Sequence, residues 1–161
     1  MYALGYVPIV TGDTVAVGGT YTLLVEVLEP ATVEVGALGE RSFDPGWYAY
    51  TGSALGPGGF SRVDRHRELA AGERDTRHWH VDYLLGHPAA DIDTVVDSRG
   101  VDIECAVATA VDGDPVAAFG ASDCDCGSHL HYAPQRAHLL DSVRRAHQSF
   151  RGTDGECRSR G

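Results

Sequence analysis

The chain is organised around Phe60-Ser61-Arg62-Val63-Asp64-Arg65-His66-Arg67-Glu68-Leu69-Ala70. This stretch follows a glycine-rich turn and contains no internal glycine or proline, so it is predicted to form a helix. On a helical wheel, at about 100° per residue, Arg62 and His66 fall one turn apart within the apolar stripe. A guanidinium on the packed side of a helix is unfavourable unless an anion meets it there. Either an internal carboxylate or a bound ligand is therefore expected to face Arg62.

The charge balance of the chain is unusual. All 13 basic residues are arginine, and the formal net charge is -10. An acidic, lysine-free composition is typical of proteins that work in high intracellular salt, so a halophilic source is predicted. The composition argues against general affinity for nucleic acid, because phosphate binding depends on basic patches. Residues 62–80 nevertheless concentrate arginine and histidine, so this region can still dock phosphates.

The length of 161 residues favours a single main domain at 19–150. It is flanked by an N-terminal extension at 1–18 and a flexible tail at 151–161. No apolar run approaches the roughly 18 residues that span a bilayer, so no membrane partner is expected. The N-terminus lacks the basic segment of a secretion signal, and a cytoplasmic protein is therefore expected.

Four cysteines in a chain without a secretion signal favour thiols or metal ligands over disulfides. Cys124, Cys126 and His129 form a candidate zinc site, because thiolates and imidazoles are zinc ligands. Their Cys-x-Cys spacing is tighter than the usual one, so a structural loop is the alternative interpretation. Such a loop could close over a cleft and present His129 to a phosphate. An interaction domain stabilised by this metal is a further alternative.

Hydrophobic periodicity and turn signals predict a mixed α/β chain of the α+β kind. Strands are predicted at 20–28, 32–35, 41–43, 47–51 and 92–98, and helices at 60–70, 77–85, 103–111 and 134–150. The segment 20–28 is apolar on both faces, as is typical of a central strand. The order of the first elements predicts an antiparallel sheet of about three strands that leads into the Arg62 helix.

Two tyrosines and one carboxylate add to the candidate site. Tyr21 opens the first central strand, Tyr50 lies near the end of another, and Gly52 marks a close approach of the backbone to another group. Both tyrosines are alternatively core residues with solvated hydroxyls. Glu104 borders the buried stripe of the third predicted helix. It is therefore either the partner of the inward arginine or a ligand for Mg²⁺.

Polar residues of the second predicted helix leave two interpretations open. His78 and Asp82 lie one turn apart, so a hydrogen bond between them is geometrically available. In one interpretation the histidines are simply solvated at the start of the helix. In the other, His78 or His80 lies at the edge of a cleft.

Three motifs, taken in order, resemble those of the GIY-YIG nuclease superfamily. They are Gly19-Thr20-Tyr21, Tyr50-Thr51-Gly52 and Arg62-Val63-Asp64-Arg65-His66. Together with them, the strings at 48–56, 78–85 and 122–130 are similar to the archaeal branch of that superfamily. The resemblance covers residues 19–131, which is most of the predicted domain.

The resemblance implies a small three-stranded antiparallel sheet flanked by helices. It also implies a metal-dependent endonuclease that hydrolyses phosphodiester bonds in DNA, in repair or recombination. Structured or damaged DNA would then be its partner. The alternative is a non-catalytic nucleic-acid-binding module that keeps the fold and has lost turnover.

The resemblance assigns catalytic roles to five residues. Tyr21 would lie near the attacking water and assist its deprotonation, and Tyr50 would line the same cleft. Arg62 would hold the scissile phosphate and stabilise the charge that develops on it. His66 would support the site by a hydrogen bond or by a contact with the phosphate. Glu104 would bind one Mg²⁺ or Mn²⁺, which polarises the phosphate.

Three further residues would lie near the phosphate by the same resemblance, namely Gly52, Ser53 and His78. A tyrosine with an ordinary pKa of about 10 is a poor base at neutral pH. Tyr21 is therefore expected to need help from the metal or from Arg62.

Overall fold

The structure is a computed structural model that describes residues 18–55, 58–74, 77, 79–116, 119 and 128–150. The predicted tail and nearly all of the predicted N-terminal extension lie outside these residues. So do three candidate site residues, His78, Cys124 and Cys126.

The described residues form seven strands and four α-helices. In chain order they are β1 (Gly19–Val27), β2 (Ala31–Glu34), β3 (Glu40–Phe43), β4 (Gly46–Ser53), α1 (Ser61–Ala70), α2 (His80–Leu85), β5 (Ala90–Arg99), α3 (Glu104–Ala110), β6 (Asp114–Pro115), β7 (Leu130–Ala133) and α4 (Arg136–Phe150). No helix in this part of the chain combines the length and the apolar character that crossing a membrane requires.

Five strands form one antiparallel sheet in the order β5-β1-β4-β7-β6. The other two, β2 and β3, pair with each other in a separate hairpin. The predicted mixture of helices and antiparallel strands is thus confirmed. The prediction of a three-stranded sheet is wrong.

The additional strands lie at both edges of the sheet. β5 is predicted as a strand, but the sequence does not say where it pairs, and it lies antiparallel along β1. On the other side, β7 pairs with β4, and no strand is predicted at its position. A four-residue strand that ends just before Pro134 is too short to display a period of two.

The second helix begins three residues later than predicted, at His80 instead of Arg77. Trp79 precedes it in an extended conformation, with φ −116° and ψ 160°. The Trp79 backbone N–H donates to the Asp82 carboxylate at 3.0 Å. Because the first amides of a helix lack backbone acceptors, this contact fixes where the helix starts.

β1 is buried on both faces, as expected for a central strand. Its alternating side chains place Tyr21, Leu23 and Val25 in the core that contains residues of α1 and α2. Leu24 belongs to the second core, with residues of α3 and α4. Helices therefore cover both faces of the sheet.

A buried polar cluster fastens α4 to the second face. His147 Nε2 lies 2.8 Å from Thr22 Oγ1, and His147 Nδ1 lies 2.8 Å from Ser98 Oγ. The Thr22 hydroxyl is also 3.0 Å from that of Thr51. Because these buried groups are hydrogen-bonded to one another, they fix α4 against three neighbouring strands. The opposite face of those strands carries the candidate site.

Candidate active site

Four predicted site residues meet on the face of the sheet that α1 and α2 cover. Tyr21 comes from β1, Tyr50 from β4, and Arg62 and His66 from α1. The ring centres of the two tyrosines are 6.5 Å apart. The His66 ring lies 5.7 Å from that of Tyr21 and 6.3 Å from that of Tyr50. Segments far apart in the sequence thus form one cluster.

Gly52 makes room for the two phenols. In the sheet it pairs directly with Tyr21. A side-chain carbon added at Gly52 would lie 2.7 Å from the Tyr21 hydroxyl and 3.1 Å from Tyr50 Cε2. Real side-chain carbons essentially never come within 2.7 Å of such an atom, so the contact with Tyr21 is the decisive one. The close neighbours of Gly52 are therefore the two tyrosine rings, while its predicted approach to a phosphate stays a prediction.

Arg62 is held in place without an acidic partner. It donates to the backbone carbonyl of Ser53, and its guanidinium lies over the Trp79 ring, 4.3 Å from the centre. Its positive charge also lowers the pKa of the Tyr21 hydroxyl, against the larger effect of burial. Arg62 is half-buried, and no carboxylate in the described part of the chain forms an ion pair with it. Of the two partners that the sequence allowed, an internal acid is therefore not found among these residues.

The acid that does face the cluster is Asp82 of α2. Its Oδ1 lies 3.2 Å from His66 Nδ1, and its Oδ2 accepts from Arg65 Nη1 at 3.0 Å. Asp82 and His66 are both fully buried. On its other side, the His66 ring presents Nε2 to the Tyr21 hydroxyl at 2.9 Å. Tyr21, His66 and Asp82 therefore form a continuous hydrogen-bonded chain.

The chemistry of the groups fixes where the protons lie in this chain. An ionised carboxylate only accepts hydrogen bonds, so His66 Nδ1 carries the proton that faces Asp82. In a neutral imidazole the other nitrogen is then an acceptor. The Tyr21 hydroxyl therefore donates to His66 Nε2. The order is the same as in a serine–histidine–aspartate triad, with a phenol in place of the serine.

Both phenols are harder to ionise than free tyrosine. Burial is the main reason why the pKa of Tyr21 is raised, and the Arg62 guanidinium opposes this rise. The pKa of Tyr50 is also raised, first by burial and then by the neighbouring Tyr21 and Glu104. At neutral pH both hydroxyls are thus protonated, and Tyr21 can accept a proton only by giving up its own.

Glu104 reaches the cluster from the other side of the sheet. It is the first residue of α3, and its charge raises the pKa of Tyr21 and of Tyr50. Its side chain is 20% exposed. His129 Nδ1 lies 3.1 Å from Glu104 Oε2, close enough for an ion pair but not aligned as a hydrogen bond. Glu104 is therefore both near the phenols and open to solvent.

The predicted zinc site is represented by His129 alone, because Cys124 and Cys126 lie outside the described residues. Within the described residues, no three histidine, cysteine or acidic side chains are grouped as metal ligands. Cys105 is disulfide-bonded, so the expectation of thiols or metal ligands is wrong for this cysteine. Spacing along the sequence does not indicate which sulfur atoms a fold brings together.

The sequence contained a signal for Asp82 that our interpretation did not use. Asp82 lies three residues before Leu85, on the buried side of α2, and Val81 and Leu84 are buried beside it. An acid within an apolar stripe requires a partner, by the argument that singled out Arg62. The predicted contact of Asp82 with His78 falls outside the described residues, and among those that are described Asp82 pairs with His66 and Arg65.

Comparison with known proteins gives a family but no function. Neither the curated proteins nor the solved structures contain a match to the chain. Residues 20–152, which include every described site residue, match a family described as "Domain of unknown function DUF123". Because the match covers most of the 161 residues, the chain belongs to the DUF123 family.

Proposed function

We propose that this chain is a divalent-metal-dependent endonuclease of the GIY-YIG kind, which hydrolyses phosphodiester bonds in DNA. The environment of the Arg62 guanidinium is the observation that carries the proposal. Its guanidinium lies beside the Tyr21 hydroxyl without an ion-pair partner in the described part of the chain. A cation that is held in place without an ion-pair partner is suited to bind an anionic ligand.

The fixed guanidinium suits a phosphodiester. Arg62 is anchored by the Ser53 carbonyl and by the Trp79 ring, so little side-chain freedom remains to be lost when a ligand binds. The planar donor set of arginine matches phosphate oxygens, and it stabilises the charge that grows on them in the transition state. Arg62 would therefore both bind the scissile phosphate and favour its cleavage.

The two phenols would handle the attacking water. Tyr21 lies within hydrogen-bond distance of a proton acceptor, His66 Nε2, at 2.9 Å. Tyr50 lies beside it, with ring centres 6.5 Å apart. We infer that Tyr21 takes the proton from the water and that Tyr50 orients the water or the phosphate.

Glu104 fits the metal that this reaction uses. A partly exposed carboxylate suits Mg²⁺ or Mn²⁺, since Mg²⁺ keeps several waters and binds substrate phosphate. Such an ion would polarise the phosphate and ease departure of the leaving oxygen. The zinc alternative stays a prediction, because Cys124 and Cys126 lie outside the described residues.

Hydrolysis would proceed by displacement of the leaving oxygen from phosphorus by water. The water oxygen forms a bond to phosphorus while the bond to the leaving oxygen breaks. The electron pair of the broken bond stays on the leaving oxygen, which takes a proton from solvent. The proton released by the attacking water passes to the Tyr21 oxygen as the phenol gives its own proton to His66 Nε2, which lies 2.9 Å away.

The charge distribution supports DNA as the substrate. Of the three arginines on α1, Arg65 is paired with Asp82, whereas Arg62 and Arg67 form no ion pair with a described carboxylate; the net charge of the chain is -10. Backbone phosphates would be attracted to this helix, and the acidic remainder would suppress non-specific association. From the resemblance to GIY-YIG nucleases, we further propose that the substrate is structured or damaged DNA. The enzyme would then act in repair or recombination.

A cleavage assay with two matched variants tests the proposal. Wild type, Arg62→Ala and Arg67→Ala are incubated with Mg²⁺ and a panel of nicked, branched and damaged DNA. Arg67 lies on the same helix but is exposed, so it controls for the loss of one positive charge. We expect Arg62→Ala to lower the cleavage rate about 10²-fold or more, and Arg67→Ala to change it little. Equal rates for wild type and Arg62→Ala would remove Arg62 from the mechanism.

The same chain could instead bind nucleic acid without cutting it. The burial of both phenols favours this alternative, because a buried tyrosine is a poor base. A wild type that binds the DNA panel through Arg62 and cleaves nothing, with either Mg²⁺ or Mn²⁺, would support the binding module over the enzyme.

A further inference from the structure

We propose that Asp82 is a positioning residue that makes His66 the proton acceptor for Tyr21. This inference rests on the proposed nuclease function and deepens it. The motif resemblance assigns no role to Asp82, which is singled out by its contact with His66 where α2 packs against α1.

The contacts show how Asp82 is kept as an anion. It is fully buried, and it accepts from Arg65 Nη1 at 3.0 Å and from the Trp79 backbone N–H at 3.0 Å. A buried carboxylate is stable in ionised form when charged and neutral donors satisfy it in this way. The remaining oxygen, Oδ1, faces His66 Nδ1 at 3.2 Å.

An ionised Asp82 determines the tautomer of His66. Because the carboxylate only accepts, it holds the proton on Nδ1 and leaves the lone pair of Nε2 directed at the Tyr21 hydroxyl. The opposite tautomer would place a hydrogen on Nε2 and two lone pairs between Nδ1 and the carboxylate. Asp82 thus orients the ring and selects the reactive nitrogen.

This arrangement explains how a buried phenol can serve as a base. Burial raises the pKa of Tyr21, so a resting phenolate is disfavoured. As water attacks phosphorus, the water proton moves to the Tyr21 oxygen while the phenol proton moves to His66 Nε2. The imidazolium that forms lies against the Asp82 carboxylate, which stabilises its positive charge. After cleavage, His66 returns the proton to solvent through Tyr21.

The burial of the relay distinguishes it from a solvent-exposed ion pair. Tyr21 is 1% exposed and His66 is fully buried, so the hydrogen bond between them is shielded from bulk solvent. Arg65 also lies over the Trp79 ring, with its guanidinium 4.9 Å from the ring centre. The carboxylate therefore has a fixed partner on each side, and removing its charge should affect His66 directly.

The test uses Asp82→Asn, which keeps the shape of the side chain and removes its charge. Nitrogen chemical shifts measured by NMR report which nitrogen of His66 carries the proton. We expect the Nδ1–H tautomer in the wild type, and a shift toward Nε2–H in Asp82→Asn, whose amide can donate to Nδ1. We also expect kcat for DNA cleavage to fall about 10²–10³-fold with KM little changed.

A double-mutant cycle separates positioning from general destabilisation. In a Tyr21→Phe background the phenol proton is absent, so Asp82→Asn should cause little further loss of kcat. A full additional loss in that background would overturn the inference. If Asp82→Asn does not fold, the wild-type tautomer alone decides, and an Nε2–H tautomer would overturn it.

Different experimental results would overturn the proposed function and the proposed role of Asp82. A wild type that cleaves no DNA overturns the proposed function, and this inference with it. A wild type that cleaves DNA, together with an Asp82→Asn variant of unchanged kcat, overturns only the role of Asp82.

Discussion

The Arg62 guanidinium lies 4.3 Å from the centre of the Trp79 ring, so an aromatic face holds the cation that is proposed to bind phosphate. The same ring also lies 4.9 Å from the Arg65 guanidinium. Trp79 immediately precedes α2, and the two arginines belong to α1. The aromatic ring therefore links the two helices at the edge of the site.

Replacing Trp79 with leucine should weaken binding of DNA. A cation–π contact contributes about 0.5–2 kcal/mol, depending on its exposure, which corresponds to roughly 2–30-fold in affinity. Trp79→Phe retains an aromatic face and should lose less. Fluorescence anisotropy with a labelled DNA measures both variants. Equal affinity of Trp79→Leu and the wild type would exclude the ring as a support for Arg62.

Gly52→Ala should destabilise the domain by about 1–3 kcal/mol, because the added carbon overlaps the Tyr21 phenol. Chemical denaturation gives the free energy of unfolding. The control is the same substitution in a Tyr21→Leu background, where the hydroxyl and the ring carbon that bears it are gone. If Gly52→Ala lowers the free energy of unfolding as much in the Tyr21→Leu background as in the wild type, the overlap with the phenol is not the cause.

Stability should decline as the pH rises above about 10. The folded-state pKa of both Tyr21 and Tyr50 is raised by burial, so the protonated phenols favour the fold. Their contribution is fully present below the pKa of unfolded tyrosine and is lost as the pH rises toward the folded value. Unfolding free energies measured between about pH 9 and 11 should fall less for Tyr50→Phe than for the wild type. Tyr83→Phe, at a half-exposed position, is the control, and an equal decline in all three proteins would contradict the assignment.

Glu104→Gln should weaken binding of Mn²⁺ or Mg²⁺. The substitution keeps the size of the side chain but removes the charge that attracts the ion, so the metal concentration for half-maximal cleavage should rise at least tenfold, by about 1.4 kcal/mol or more. A calorimetric titration with Mn²⁺ checks binding independently of cleavage. Glu34→Gln, at an exposed position of β2, is the matched control. An unchanged Mn²⁺ affinity in Glu104→Gln would remove this carboxylate from the metal site.

Much of the site could be predicted because single elements carry its signals. The helical wheel of residues 60–70 indicated that His66 faces inward, and His66 is fully buried. The apolar run at 20–28 and the short segment at 47–51 indicated that Tyr21 and Tyr50 are strand residues, and both lie in the core beneath α1. In each case the pattern of one element was enough.

The remaining features depend on contacts between elements. The pairing of Asp82 with His66 requires that α2 pack against α1, which no local pattern encodes. Likewise, the approach of Glu104 to the phenols depends on where α3 starts, and that is set by the Ile103 backbone N–H donating to Thr20 Oγ1 at 3.0 Å. The pairing of β7 with β4 is a third contact of this kind.

The central claim is that Tyr21 takes part in breaking a phosphodiester bond. The most direct test compares the initial rate of Mg²⁺-dependent cleavage of structured DNA by the wild type and by Tyr21→Phe, at saturating DNA and with folding verified by circular dichroism. Removing this single oxygen should lower kcat by about 10²-fold or more while DNA affinity is retained. Cleavage by Tyr21→Phe at the wild-type rate would contradict it.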